Sequence, residues 1–105
     1  MRYGYLLDGE ARKNTITADE YEEIRSLAEG ALWASTKLKA KPYVKKLMVK
    51  CTFYYGDLYK TCSRLISTAE AAADEPKLKR LYQINTDVLL KEMRSFITEE
   101  RGPDA

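Results

Sequence analysis

From Val44 to Ala69 an apolar side chain returns at every third or fourth position: Val44, Leu47, Met48, Cys51, Tyr54, Tyr55, Leu58, Cys62, Leu65, Ile66 and Ala69. That is the period of an α-helix with one face against a core. A strand, whose side chains alternate every second residue, cannot gather such a set on one side. A helix with so long an apolar stripe has to bury it against other helices, so the pattern points to an all-α bundle.

Two further stretches repeat the pattern. Thr17-Ala18-Asp19-Glu20 has the form of a capping box, with Ile16 and Tyr21 placed as a hydrophobic staple. Tyr21, Ile24, Leu27, Ala28, Ala31, Leu32 and Leu38 follow at helical spacing. Gly30, in the middle of this helix, costs roughly 1 kcal/mol against alanine and allows close backbone approach. Pro42 suits the first position of a new helix, which predicts a break near Ala40 and Lys41. The long stripe then runs to about Ala72, with Gly56 as a place where it can bend. Asp74-Glu75-Pro76 opens a third helix, whose stripe is Leu78, Leu81, Tyr82, Asn85, Val88, Leu89, Met93, Phe96 and Ile97; Gly102-Pro103 closes it. Asn85 on that stripe is expected to find a polar partner and fix register.

These elements, near residues 17–39, 42–72 and 75–99, predict a three-helix, four-helix-like bundle occupying residues 1–105 as one domain. Tyr3, Tyr5 and Leu7 alternate before Asp8-Gly9, which predicts a short N-terminal arm or hairpin packed on the helices. With 45% apolar and 32% charged residues the composition is that of a folded protein. The sequence has neither an apolar run of membrane-spanning length nor a recognisable leader, so a cytoplasmic protein without membrane contact is expected.

The chain has no histidine, and its two cysteines do not form a paired metal motif. Gly-rich phosphate loops and nucleophile elbows are also missing from the sequence, so neither catalysis, a metal nor a cofactor is expected. Glu20, Glu22 and Glu23 cluster at a helix N-terminus, where the helix dipole alone favours acids. In one continuous helix Cys51 and Cys62 would stand roughly 16 Å apart along the axis. The expectation is therefore two buried thiols in a reducing compartment.

The net charge of +2 hides an asymmetry. Between Lys37 and Arg64 eight basic residues (Lys37, Lys39, Lys41, Lys45, Lys46, Lys50, Lys60, Arg64) face one acid, Asp57, whereas Asp8 to Glu29 holds seven acids and three bases. Arrays of Lys and Arg bind phosphate backbones largely without regard to sequence, and Tyr43, Tyr55 and Tyr59 would stack on unpaired bases if exposed. The same block would equally steer an acidic partner protein.

Residues 77–97 (KLKRLYQINTDVLLKEMRSFI) resemble the third helix of the accessory variability proteins of diversity-generating retroelements, relatives of the four-helix proteins encoded in 23S rRNA intervening sequences. The helix from Ile16 to Trp33 is similar to that family's last helix, and the basic helix from Pro42 to Ala69 to its second, so the order is permuted. The resemblance implies an oligomeric, noncatalytic bundle that binds nucleic acid and assists a reverse transcriptase. Lys45, Lys46, Lys50, Lys60 and Arg64 are the positions it carries over.

The expected function is that of a noncatalytic nucleic-acid-binding bundle acting as an accessory subunit of a larger nucleic-acid-processing assembly, with the eight basic residues as its contact site. The alternative is a small phage or defence-system interaction module that docks an acidic partner protein. Either way the apolar surface left over by three helices of unequal length predicts a homo-oligomer or an obligate partner.

Overall fold

A computed structural model describes residues 12–98 of the chain. Four α-helices occupy most of them: α1 (Ala18–Trp33), α2 (Lys37–Cys51), α3 (Gly56–Asp74) and α4 (Lys79–Arg94), with a short 3₁₀ turn (Pro76–Leu78) before the last. The all-helical expectation holds. Among the described residues the helices number four rather than three because the long central stripe is cut at residues 52–55. The strand-like alternation at Tyr3, Tyr5 and Leu7 and the Gly102-Pro103 stop lie outside the described residues.

Helix α1 begins as its sequence dictates. The Thr17 hydroxyl accepts a hydrogen bond from the Glu20 amide at 3.0 Å, and the Glu20 carboxylate accepts one from the Thr17 amide at 2.9 Å. The helix stops at Trp33, earlier than expected, because Thr36 caps a new helix by accepting from the Lys39 amide at 3.1 Å. The break therefore falls at residues 34–36, not at Ala40 and Lys41, and Pro42 lies inside α2. Pro42 is tolerated there because it sits on the exposed side. The helix bond it cannot make would go to the carbonyl of Leu38, on a surface where water can replace it.

The central break has a local cause. Thr52, Phe53, Tyr54 and Tyr55 are β-branched or aromatic, poor helix formers, and Gly56 follows at φ 67°, in the left-handed region that glycine enters most readily. The last turn of α2 tightens into bonds from Thr52 to Val49, Phe53 to Lys50 and Tyr54 to Cys51. Lys13 satisfies the backbone groups left over: its amide donates to the Phe53 carbonyl at 2.9 Å and its carbonyl accepts from the Tyr55 amide at 3.1 Å. Three residues on, Ile16 makes the same kind of parallel bridge to Ile97, donating to the Phe96 carbonyl and accepting from the Thr98 amide. The segment before α1 thus ties the α2–α3 corner to the end of α4.

Cross-links along the helices give their directions. Lys50 pairs with Glu23 and Tyr43 packs on Gly30, so α2 runs opposite to α1. Lys37 meets Asp74 while Cys51 meets Cys62, so α3 reverses again. Asn85 bonds Thr68 and Tyr82 bonds Glu75, which turns α4 against α3; Trp33 bonds Gln83 and Arg94 lies over the Tyr21 ring, which closes α4 onto α1. The result is an up-down-up-down bundle in which every pair of helices touches except α2 and α4.

The core gathers Ile16, Ile24, Leu47, Leu58, Leu65, Cys62 and Met93, all essentially without exposure. Each large aliphatic side chain buried there contributes about 1.5–3 kcal/mol relative to exposure. Ile16 and Tyr21, the expected staple, both belong to this cluster. A smaller cluster of Ala31, Val44 and Ala69 fills the other end.

The turn at residues 52–55 also overturns the reading of the cysteines. It folds α3 back on α2 and brings the Cα atoms of Cys51 and Cys62 to 6.0 Å, where the two form a disulfide. They are buried as expected, but they are not free thiols, and the ground they gave for a reducing compartment is gone. Several stripe residues are likewise corrected. Leu38, Met48, Tyr55, Leu78, Leu81 and Val88 are exposed; α4 buries Leu89 and Met93 of the expected stripe, and with them Thr86 and Leu90 from outside it.

Candidate functional site

The eight basic residues do not form one surface. Lys60 and Arg64 stand on α3, where they line a pocket with Asp57, Glu92 and Phe96, so each has acids for neighbours. Lys37 pairs with Asp74 at 2.5 Å, and the hydrogen bond to that carboxylate raises the pKa of the ammonium. Lys50 pairs with Glu23 at 2.6 Å across the α1–α2 contact. That leaves Lys39, Lys41, Lys45 and Lys46, all exposed, on a helix with six lysines and no acid.

Helix α2 turns Ala40, Val44, Leu47 and Cys51 to the core. At about 100° per residue the opposite side carries Leu38, Pro42, Lys45 and Val49, flanked by Lys41 and Met48 on one edge and Lys46 on the other. The face is therefore not only cationic. Leu38 is 76% exposed and Val49 60%, values for aliphatic side chains that nothing among the described residues covers. Sequence reasoning missed these two. Leu38 fits the three-and-four spacing of α1 when the helix is run on to residue 39, and only the cap at Thr36 reveals that it begins a different face.

Val49 also enters a groove of about 900 Å³ between α1 and α2. Leu27, Val49 and Phe53 supply its apolar lining; Asp19, Glu22 and Glu23 line it from α1 and Lys46 and Lys50 from α2. The groove thus has an acidic wall and a basic wall. In the first turn of α1, Glu20 is raised by partial burial, yet the Thr17 amide and the Lys13 ammonium at 3.0 Å outweigh that and hold its carboxyl below the ordinary range. It is a structural carboxylate, already engaged.

Of the tyrosines considered for stacking, Tyr55 and Tyr59 are exposed at the α2–α3 corner, where with Arg12 and Gly56 they line a small pocket of about 280 Å³. Tyr43 is committed to Gly30. Among the described residues no group of three or more Cys, Asp or Glu side chains is placed to hold a metal ion, and no helix is long and apolar enough to cross a membrane. No protein-family model, curated protein or solved structure matches the chain, and the reading of the site rests on its own geometry.

Proposed function

We propose that the protein is a noncatalytic binding module whose α2 face docks an acidic, amphipathic segment of a partner protein. One observation carries this: on the helix without acids, free lysines alternate with exposed aliphatics, Lys41 and Lys45 with Leu38 and Val49. A phosphate backbone gains from the lysines but has no use for uncovered leucine and valine. An amphipathic segment uses both, burying its apolar side on Leu38 and Val49 while its carboxylates meet the lysines. The acidic wall of the adjoining groove argues the same way. Asp19, Glu22 and Glu23 repel a polyanion whose charge continues from α2 into the groove, whereas an amphipathic segment confines its carboxylates to the lysine side.

Nucleic-acid binding, as an accessory subunit of a nucleic-acid-processing assembly such as one built on a reverse transcriptase, is the second reading. It draws on exposed Tyr55 and Tyr59 beside the basic helix, as a stacking platform for unpaired bases.

Two variants separate the readings. Lys41, Lys45 and Lys46 changed to Gln remove the charge; Leu38 and Val49 changed to Ser remove the apolar ground. Binding of a Leu/Glu amphipathic helical peptide, followed by calorimetry, is expected to weaken in both. Binding to single- or double-stranded oligonucleotides at about 50 mM salt is expected to be absent. Tight oligonucleotide binding that falls steeply with salt, and that survives the Leu38 and Val49 changes, would replace the first reading with the second.

A further inference from the structure

Helix α4 carries two apolar stripes, and the bundle uses one. Thr86, Leu89, Leu90 and Met93 face the core. On the far side Leu81, Ile84 and Val88 are each more than half exposed, and Leu78 just before the helix extends the row. One flank of the row carries Arg80 and Asp87; the other carries Asn85 and Glu92, all of them exposed. Asp87 is held on its flank by a relay in which Trp33 donates to Gln83 at 2.5 Å and Gln83 donates to Asp87 at 2.8 Å.

We propose that this face binds a second copy of the chain, with the two α4 helices antiparallel. The charges select both the occupant and the direction. When two such faces pair antiparallel, like flanks meet, and a register that seats Leu81 on Ile84 of the second copy brings Arg80 opposite Asp87 twice, once on each side of the two-fold axis. The same register sets Val88 against Leu78. In a parallel pairing opposite flanks meet, and Asp87 falls against Glu92 of the second copy, a like-charge contact repeated by symmetry. The face is therefore complementary to itself in one direction only. Four aliphatic side chains from each copy and two ion pairs make an interface near the small end of specific contacts, roughly 1,000 Å² in total, so the dimer exchanges with monomer on dilution. The surface is separate from α2 and leaves the groove between α1 and α2 open.

Sedimentation equilibrium of the full chain over a wide concentration range tests the arrangement. The wild-type protein is expected to fit a monomer–dimer equilibrium, and Ile84→Glu to remain monomeric with unchanged helical circular dichroism. Arg80→Asp alone and Asp87→Arg alone each juxtapose like charges and are expected to weaken the dimer about tenfold; the double variant with both changes is expected to return to near wild-type affinity. Because Arg80 and Asp87 are exposed, these variants report on pairing even if the glutamate at position 84 disturbs folding. A monomer at every concentration, a dimer indifferent to Ile84→Glu, or a double charge swap as weak as its parents would each overturn the proposal.

Discussion

The ring of Tyr43 on α2 occupies the space that any side chain at position 30 of α1 would need. A Cβ built on Gly30 would lie 2.5 Å from Tyr43 Cε1 and within 2.9 Å of two further ring atoms. The glycine is thus a docking surface for an aromatic ring, and it fixes how closely α1 and α2 approach. Alanine in mid-helix gains roughly 1 kcal/mol over glycine, but here the ring must move to admit it. Gly30→Ala alone is expected to lower stability in chemical denaturation. In a Tyr43→Ala background the same change is expected to raise it by about 1 kcal/mol, and a cycle of the four proteins measures the coupling.

The Cys51–Cys62 disulfide closes a short loop around the corner that separates α2 from α3. In the chain-entropy account a loop of this length is worth about 3 kcal/mol, through restriction of the unfolded chain. Replacing both cysteines with alanine is expected to lower the denaturant midpoint by a corresponding amount, with the helical content retained. The oxidised protein should show no reactive thiol after denaturation without reductant, because both of its cysteines are in the bond. Two thiols per chain under those conditions would refute the pairing.

That disulfide marks where the sequence was legible and where it was not. The start of α1 could be read because its signals are local: Thr17, Glu20, Ile16 and Tyr21 lie within six consecutive positions, and each acts on its neighbours. The corner at residues 52–55 was obscured because the apolar phase continues across it. Cys51, Tyr54 and Leu58 are all buried, at a spacing that an unbroken helix would also give. What distinguishes the two is Gly56 at positive φ and the Lys13 bridge to the corner, the second a long-range contact with no local trace. Pro42 misled in the opposite direction, since its cost depends on whether the unpaired carbonyl faces water, a property of the finished fold. On α4 two apolar stripes lie on opposite sides of the helix, and only packing decides that Leu89, Leu90 and Met93 go inward while Leu81 and Val88 stay out. Of the candidate site, the cationic character of α2 could be read from the sequence; the pairing of Lys37 and Lys50, and the exposure of Leu38 and Val49, could not.

The first turn of α1 predicts a limit to acid stability. Glu20 is held below its ordinary pKa because, against the burial that raises it, the Thr17 amide and the Lys13 ammonium favour its charged form. A carboxyl depressed by folding stabilises the fold above its unfolded pKa, and that contribution is lost as pH falls through the folded value. The Glu20→Gln variant is therefore expected to be less stable than wild type near neutrality, with the gap closing in acid once Glu20 is protonated. Thr17→Ala, which removes the other half of the capping box, is expected to cost about 1 kcal/mol. Thermal melts of the three proteins across the acid range would read both effects, and a gap for Glu20→Gln that widened in acid would contradict the assignment.

At the alkaline end the corresponding group is Tyr54. Burial at the α2–α3 corner, with the charges of Glu20 and Glu23 adding to it, pushes its phenol from an ordinary 10.0 up to about 12. The unfolded chain releases this proton earlier than the folded one. Between those two values the unfolded state therefore binds fewer protons, and stability falls as pH rises. Below pH 10 the group contributes no pH dependence, and above its folded pKa the loss is complete. A two-unit displacement corresponds to about 2–3 kcal/mol. Other tyrosines and the lysines titrate in the same range, so the informative quantity is the difference between wild type and Tyr54→Phe, which shares every other group. That difference, from urea denaturation at successive pH values, is expected to be flat up to pH 10 and then to move against the wild type, because phenylalanine has no proton to lose. Tyrosinate absorbance should show the same residue ionising late, as a component missing from the variant; a component that appears at pH 10 with the exposed tyrosines would show that Tyr54 is not buried at the corner.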